Sequence, residues 1–332
     1  MTLDAAPWRS VEFIADLHLC AELPRTARAL LDHLRHSDAD AIMLLGDIFE
    51  AWVGDDMALP PDQPRTPAAT THDGGSEHAP QRVDRGVPDA DFERAFSAEL
   101  ADIAATRWIG FMVGNRDFLV GPAWMEACHL HALADPTRFT LAGQQVLVSH
   151  GDQLCLADTD YQQFRALVRS AGWQQTFLAK PLDERLAVAR QMRQASIARQ
   201  QAPHRSEHGD RSEHSKHAGQ GGEYADVDHP AALAELHAAG AHTLVHGHTH
   251  RPGRHVLAEA DGQTWQRLVL SDWDLDQTTP PRAEVLRLDA RGFTRLAPCR
   301  APGASTGVSS GVSPGASSGL SSHGSHGISP ED

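Results

Sequence analysis

The segment LVHGHTHRP, residues 244–252, carries His246, His248 and His250 at alternate positions immediately after an apolar run. In an extended backbone, side chains two apart point to the same side, so the imidazoles could converge on one point. Imidazole is a frequent ligand of divalent transition metals, which makes the segment a candidate metal site. The alternative is an exposed strand-loop junction in a chain that holds 21 histidines. Four other apolar runs end in comparable residues: Asp16 and His18 in D-x-H, Asp47 in L-G-D, Asn115 in G-N-R-D and His150 in S-H-G-D. With His246 and His248 they offer two carboxylates, one amide oxygen and four imidazoles. That mixture of oxygen and nitrogen suits manganese, iron or zinc better than calcium. Seven side chains exceed one tetrahedral site but suffice for two metals that share a carboxylate.

These residues need elements that bring them together. The runs at 11–18, 41–49, 108–117, 145–152 and 242–248 have the length and composition of buried strands, with helical patterns between several of them. Phe92, Phe96, Leu100 and Ile103, for instance, recur at helical spacing. The fold class is therefore α/β, and ligands of such sheets gather beyond the carboxyl ends of the strands. RLVLSD (267–272) and AEVLRLD (283–289) read as closely connected late strands, so a mixed sheet is expected.

Three stretches look foreign to the core: 58–88, rich in proline; 203–222, PHRSEHGDRSEHSKHAGQGG; and a Gly/Ser-rich tail over 299–332. All three are expected to be disordered, with their histidines outside the chemistry. From 158 to 201 the chain is helix-prone and, within an acidic protein, locally basic. Two readings stand for it: solvated amphipathic helices on the core, or a cap offering apolar surface and cations to an anionic, greasy ligand or a membrane.

A formal net charge of −15 over 332 residues opposes binding of nucleic acid across the surface, which needs many cations. Four scattered cysteines without a CxxC pair read as reduced cytosolic thiols rather than a disulfide framework or a structural zinc cluster. The start of the chain lacks a signal-peptide pattern, and no window approaches the ~20 apolar residues of a membrane span. A cytoplasmic protein is expected, with attachment to a membrane surface left open.

The ordered pattern D-x-H, G-D, G-N-R, H and H-x-H resembles the calcineurin-like metallophosphoesterases. Within them, FIADLHL, GDIFEAWVGDD, GNRDFL, SHGDQLCLADTDYQQFR, MRQAS and HGHTHRP are similar to the UDP-2,3-diacylglucosamine diphosphatase family, over 11–57 and 89–289. The resemblance implies a sandwich of two mixed β-sheets flanked by helices. The core would comprise 1–157 and 241–298, with a helical cap over 158–240. It also implies a hydrolase with two Mn2+ per subunit. One ion would be held by Asp16, His18, Asp47 and His248, the other by Asp47, Asn115, His150 and His246, with Asp47 as the bridge. His250 then falls outside the ligands, in a supporting role. Asn115, Arg116 and His246 would face the phosphates, Asp158 and Ser196 the glucosamine side, and Gln200 would donate hydrogen bonds to the substrate. The family pattern expects Asn where this chain has Gln200, and its following Lys falls within 203–222, where Arg199 or Arg205 could compensate.

The implied reaction is attack of a metal-activated water on the uridylyl-side phosphorus of UDP-2,3-diacylglucosamine, giving UMP and 2,3-diacylglucosamine 1-phosphate, a step of lipid A biosynthesis. Asp47, Arg116 and His246 would carry the chemistry. The implied partners are that lipid and the cytoplasmic face of the inner membrane; no nucleic acid and no obligate protein partner are expected. Asp117, Asp152 and Asp272 read as turn or supporting residues. The competing functions are hydrolysis of another phosphoester by the same metals, and a non-catalytic lipid or nucleotide binder.

Overall fold

The computed structural model describes residues 1–59, 89–201 and 225–300, with the side chains of 193–201 excepted. The three stretches expected to be foreign to the core lie almost wholly outside the described residues.

Strands β1 (Val11–Ile14), β2 (Ala41–Leu45), β3 (Trp108–Met112) and β4 (His131–Ala132) run parallel in one sheet. Strand β10 (Val285–Asp289) joins β1 antiparallel, and β11 (Gly292–Leu296) completes the sheet, giving the order β11-β10-β1-β2-β3-β4. A second sheet has the order β5-β6-β7-β9-β8, from β5 (Thr137–Leu141), β6 (Gln144–Ser149), β7 (Thr243–His246), β8 (Gly253–Ala260) and β9 (Gln263–Val269). In it β6, β7 and β9 are parallel and both edge strands antiparallel. The architecture is thus the α/β sandwich of two mixed sheets. The late strands near 267 and 283 are not neighbours, however. They belong to different sheets, because the intervening chain crosses the sandwich and buries Trp273 in the first sheet's outer core.

Strand alternation explains the layers. Val11, Phe13, Ala41, Met43 and Leu45 face the second sheet, meeting Phe139, Val146, Val148 and Val245. The residues between them, Ile14, Ile42 and Leu44, face outward onto α1 (Pro24–His36) and α2 (Ala90–Ala104). Helix α1 answers with Ala27, Leu30, Leu31 and Leu34, and α2 with Phe96, Leu100 and Ile103, each a stripe at helical spacing. On the far side, Leu147 and Leu244 receive Ala232 and Leu236 of α7 (His229–Ala239). Helix α7, which falls in the 158–240 stretch, therefore packs on the second sheet.

The remaining helices of that stretch are α4 (Thr159–Val168), α5 (Ala171–Leu178) and α6 (Leu182–Gln201). Phe177 is buried, and Trp173, Leu182, Leu186 and Ala189 pack on the outer core. Arg185, itself buried, ties α6 to the loop after β2 through Val53 O and the Asp56 carboxylate. One face of this unit is thus covered, while Phe164, Leu167, Leu178 and Met192 stay exposed. No helix among the described residues is long and apolar enough to cross a membrane.

Candidate metal centre

The strands end earlier than their apolar runs suggest, and the chemistry sits in the loops just beyond. Asp16, His18, Asp47, His248 and His250 all have positive φ, between 50° and 66°. Non-glycine residues rarely adopt this conformation, so its recurrence here marks loops held in strained geometry by their surroundings. Two glycines make the close approach possible. A Cβ on Gly46 would lie 2.6 Å from Gly114 Cα and 2.7 Å from His150 Nδ1, and one on Gly114 would collide with Asp47.

Asp117 fastens these loops together. Fully buried, it accepts from the backbone N–H groups of Ile48 (2.8 Å) and Gly114 (2.7 Å), and more weakly from Asp47 and Phe49. Burial and the nearby Asp47 raise its pKa to about 6. Behind the Asp47 loop, Phe49 and Trp52 lock into Phe96 and Trp124 at ring separations of 4.8–5.6 Å. Each such pair contributes ~0.5–1.5 kcal/mol beyond area burial.

Two groups of donors result. In the first, Asp16, His18 and His250 bring ligand atoms within 4.8 Å of one another; in the second, Asp47, His150 and His248 do so. Asp47 spans both, with Oδ2 3.9 Å from His18 Nε2 and Oδ1 3.6 Å from His150 Nε2. Asn115 Oδ1 lies in the second group, 2.9 Å from His150 Nε2 and 2.8 Å from His248 Nδ1. His18 Nε2 and His250 Nε2 face each other at 3.2 Å. Two neutral imidazoles with lone pairs so directed repel unless a proton or a cation lies between them. The donor chemistry therefore fits a divalent cation in each group, with two nitrogens and two oxygens apiece.

Supporting contacts orient the donors. His150 Nδ1 meets Leu45 O at 3.0 Å, which leaves Nε2 to face Asp47 and Asn115. Burial lowers the pKa of His150, but Asp47, Asp152 and Asp16 outweigh it and bring the value to about 9. His248 is held down to about 4 by burial and by the charge of His150. Burial likewise depresses His18. Asp16 stays well below the usual carboxylate range: the cost of burial is outweighed by its hydrogen bond to His250 and the charges of His250, His150 and His18.

The histidine register needs correction. His246, expected as a ligand and catalytic residue, is the last residue of β7 and belongs to neither group. Its Nδ1 lies 2.9 Å from Gly247 O and its Nε2 3.4 Å from buried Arg267, and burial depresses its pKa to about 4. His250, expected outside the ligands, stands in the first group, and His248 moves from the first group to the second. The reason lies in the backbone. Alternate side chains share a side only while the chain is extended, and it turns left-handed at His248 and again at His250. The end of the apolar run at His246 is the sequence signal that the loop begins there.

Arg116 donates its backbone N–H to Asp47 Oδ1 (2.8 Å), and its guanidinium lies 3.6 Å from Glu50. Asp158 caps α4, accepting from Tyr161 N at 3.0 Å. Ser196 and Gln200 lie in the last part of α6, 193–201, whose side chains are outside the described residues, as is the 203–222 stretch. Two neighbours escaped the sequence reading: Glu50, 3.1 Å from His18 Nδ1, and Tyr161, whose ring stacks on His248 at 5.9 Å. The supporting aspartates behave as expected. Asp152 receives Tyr161 Oη (2.6 Å) and Arg165 Nε (2.8 Å), and Asp272 pairs with Arg282. Helix α4 is thereby joined to the loop of His150, and Arg169 joins it to Gly114 O at 2.8 Å.

No family model matches. A UDP-2,3-diacylglucosamine hydrolase of Bordetella pertussis is 38% identical over 283 residues, covering 84% of this chain and 91% of its own. Its namesake in Xanthomonas campestris is also 38% identical, over 85% of this chain and 96% of its own. The chain belongs to the UDP-2,3-diacylglucosamine hydrolase family. It is a hydrolase, and the paired donor groups are a candidate divalent-cation centre in this chain.

Proposed function

We propose that this protein hydrolyses the pyrophosphate bond of UDP-2,3-diacylglucosamine, releasing UMP and 2,3-diacylglucosamine 1-phosphate. The observation that carries the reading is the pair of donor groups sharing Asp47, set beside a helical unit with exposed apolar side chains, in a chain whose relatives bear that substrate's name. One group comprises Asp16, His18, Asp47 and His250, the other Asp47, Asn115, His150 and His248, and manganese suits both. Two divalent ions there would activate water for attack on the uridylyl-side phosphorus and offset phosphate charge.

The chain's own residues do the rest. Asp47 holds the two groups in register, and Asn115 and Arg116 at the tip of the loop after β3 orient the phosphates, Arg116 as a charge-assisted clamp. The leaving group is a phosphate monoester, a weak base, so Arg116 in place of a proton-donating side chain next to Asn115 suffices. Asp158, Ser196 and Gln200 lie on the helices expected to meet the glucosamine. Leu156, Phe164, Leu167 and Met192 are exposed and suit acyl chains or the cytoplasmic leaflet of the inner membrane, where we place the protein as a peripheral enzyme.

The test is a manganese-supplemented assay on UDP-2,3-diacylglucosamine and on UDP-glucose, with Asp47→Ala as the blank. Release of UMP from the lipid alone, absent in the variant, supports the proposal. Turnover confined to soluble phosphoesters refutes it.

A further inference from the structure

The function proposed above leaves the nucleoside half of the substrate without a place. Beside Asp16 and His18 opens a cleft of about 200 Å³, whose walls include Glu22, Leu23, Glu50, Asp272 and Gln277. None of its lining residues comes from α4, α5 or α6. We infer that this cleft receives the ribose and uracil of the substrate, an inference that rests on the proposed function.

Position is the first argument. Asp16 and His18 belong to the first donor group, so a phosphate held there leads directly into the cleft. His248 of the second group is instead stacked against Tyr161 of α4, on the side of the helical unit. A substrate lying across both groups would thus put its acylated sugar toward the helices and its nucleoside into the cleft. Size agrees, since the cleft is smaller than the ~300–1,000 Å³ pockets that enclose drug-sized ligands. It suits one nucleoside and excludes a diacylated sugar.

Hydrogen-bond accounting is the second argument. Most carboxylates in the wall are committed. Asp272 accepts from Arg282 Nε at 3.1 Å, and Asp274 Oδ1 accepts from the backbone N–H groups of Asp276 (3.0 Å) and Gln277 (2.7 Å). Glu50 lies 3.1 Å from His18 Nδ1 and 3.6 Å from Arg116. Glu22 differs, because its Oε2 is buried and meets no donor among the described residues. A buried acceptor left unpaired is unfavourable, and a ligand hydroxyl would relieve it. A ribose diol supplies two such donors, and a carboxylate accepting from ribose hydroxyls is a recurrent arrangement in nucleotide sites. At the exposed rim, the amide of Gln277 offers both a donor and an acceptor, matching the uracil edge.

The test is calorimetric titration of the manganese-loaded protein with UMP and with 2′-deoxy-UMP. The wild type is expected to bind UMP about tenfold more tightly, the effect of one hydrogen bond to a charged acceptor. Glu22→Ala is expected to weaken UMP and to erase the difference between the two ligands, as coupled partners in a double-mutant cycle do, and Glu22→Gln, which keeps one neutral acceptor, to reduce it. Equal weakening of both ligands in both variants, or a wild type blind to the 2′-hydroxyl, would overturn the inference. Hydrolysis of the lipid is measured on the same preparations. Binding with the expected preference but no hydrolysis removes the proposed function and leaves a uridine-nucleotide cleft, whereas hydrolysis without the preference removes the cleft alone.

Discussion

Replacing His250 and His246 separately by alanine distinguishes the two registers of the histidine segment. His250 is half-buried, with its ring 3.2 Å from His18 and 3.7 Å from Asp16. Its removal leaves Asp16, His18 and Asp47 in the first group and sacrifices little packing. Loss of contacts that merely support a ligand already weakens metal binding ~10–100-fold, so loss of a ligand should exceed that range for one of two ions. Metal analysis after dialysis should then find close to one equivalent instead of two, with a melting temperature near that of the wild type in chelator. His246 is fully buried, and emptying its ring volume should cost ~2–3 kcal/mol, roughly 5–10 °C in melting temperature for a domain of this size, while both metals remain. The reasoning is refuted if His246→Ala loses a metal equivalent and His250→Ala keeps both.

Arg116→Lys should lower turnover of the lipid substrate at least tenfold, since a point charge replaces a forked donor; wild-type turnover would remove the clamp. Asp117→Asn should destabilise the fold by ~1–3 kcal/mol in urea titration, because its carboxylate oxygens accept from four backbone N–H groups and an amide nitrogen accepts none. Glu93 is buried, and desolvation raises its pKa to about 8 from an unfolded value of 4.5. The fold thus holds a proton that the unfolded chain releases, so stability from this group is full below pH 4.5 and lost as pH rises to about 8. Glu93→Gln should accordingly stabilise the protein on the order of 3 kcal/mol near neutral pH and hardly at all at pH 4.5, checked by melts at both. Phe164→Glu with Leu167→Glu should reduce sedimentation with anionic liposomes severalfold at low salt; unchanged sedimentation would remove the membrane face.

The legible part of this structure was the chemistry at strand ends. D-x-H, G-D, G-N-R-D and S-H-G each follow an apolar run, and the runs became β1, β2, β3 and β6, which deliver Asp16, His18, Asp47, Asn115 and His150 to one place. The helix through Phe96 and Leu100 was legible for the same reason, a repeat matched to a face. The third histidine was not. Whether His246 or His250 reaches the centre depends on where the backbone stops being extended, and although the apolar run ends at His246, nothing local in the sequence says that the turns at His248 and His250 are left-handed. Sheet membership of β9 and β10 was hidden likewise, since both read as buried strands and only tertiary pairing separates them. Glu50 and Tyr161 sit in motifs that were read for other residues, and their nearness to His18 and His248 comes from three-dimensional packing.

Asp47 presents one oxygen to each donor group, so two ions held there would not load as independent equilibria. Whatever factor one ion imposes on the affinity of its neighbour must be returned in equal measure. A cell short of the metal would not hold a population with one site filled at random. Occupancy would follow a coupled curve, biased toward either paired or single filling, and activity would track that curve rather than the total metal bound.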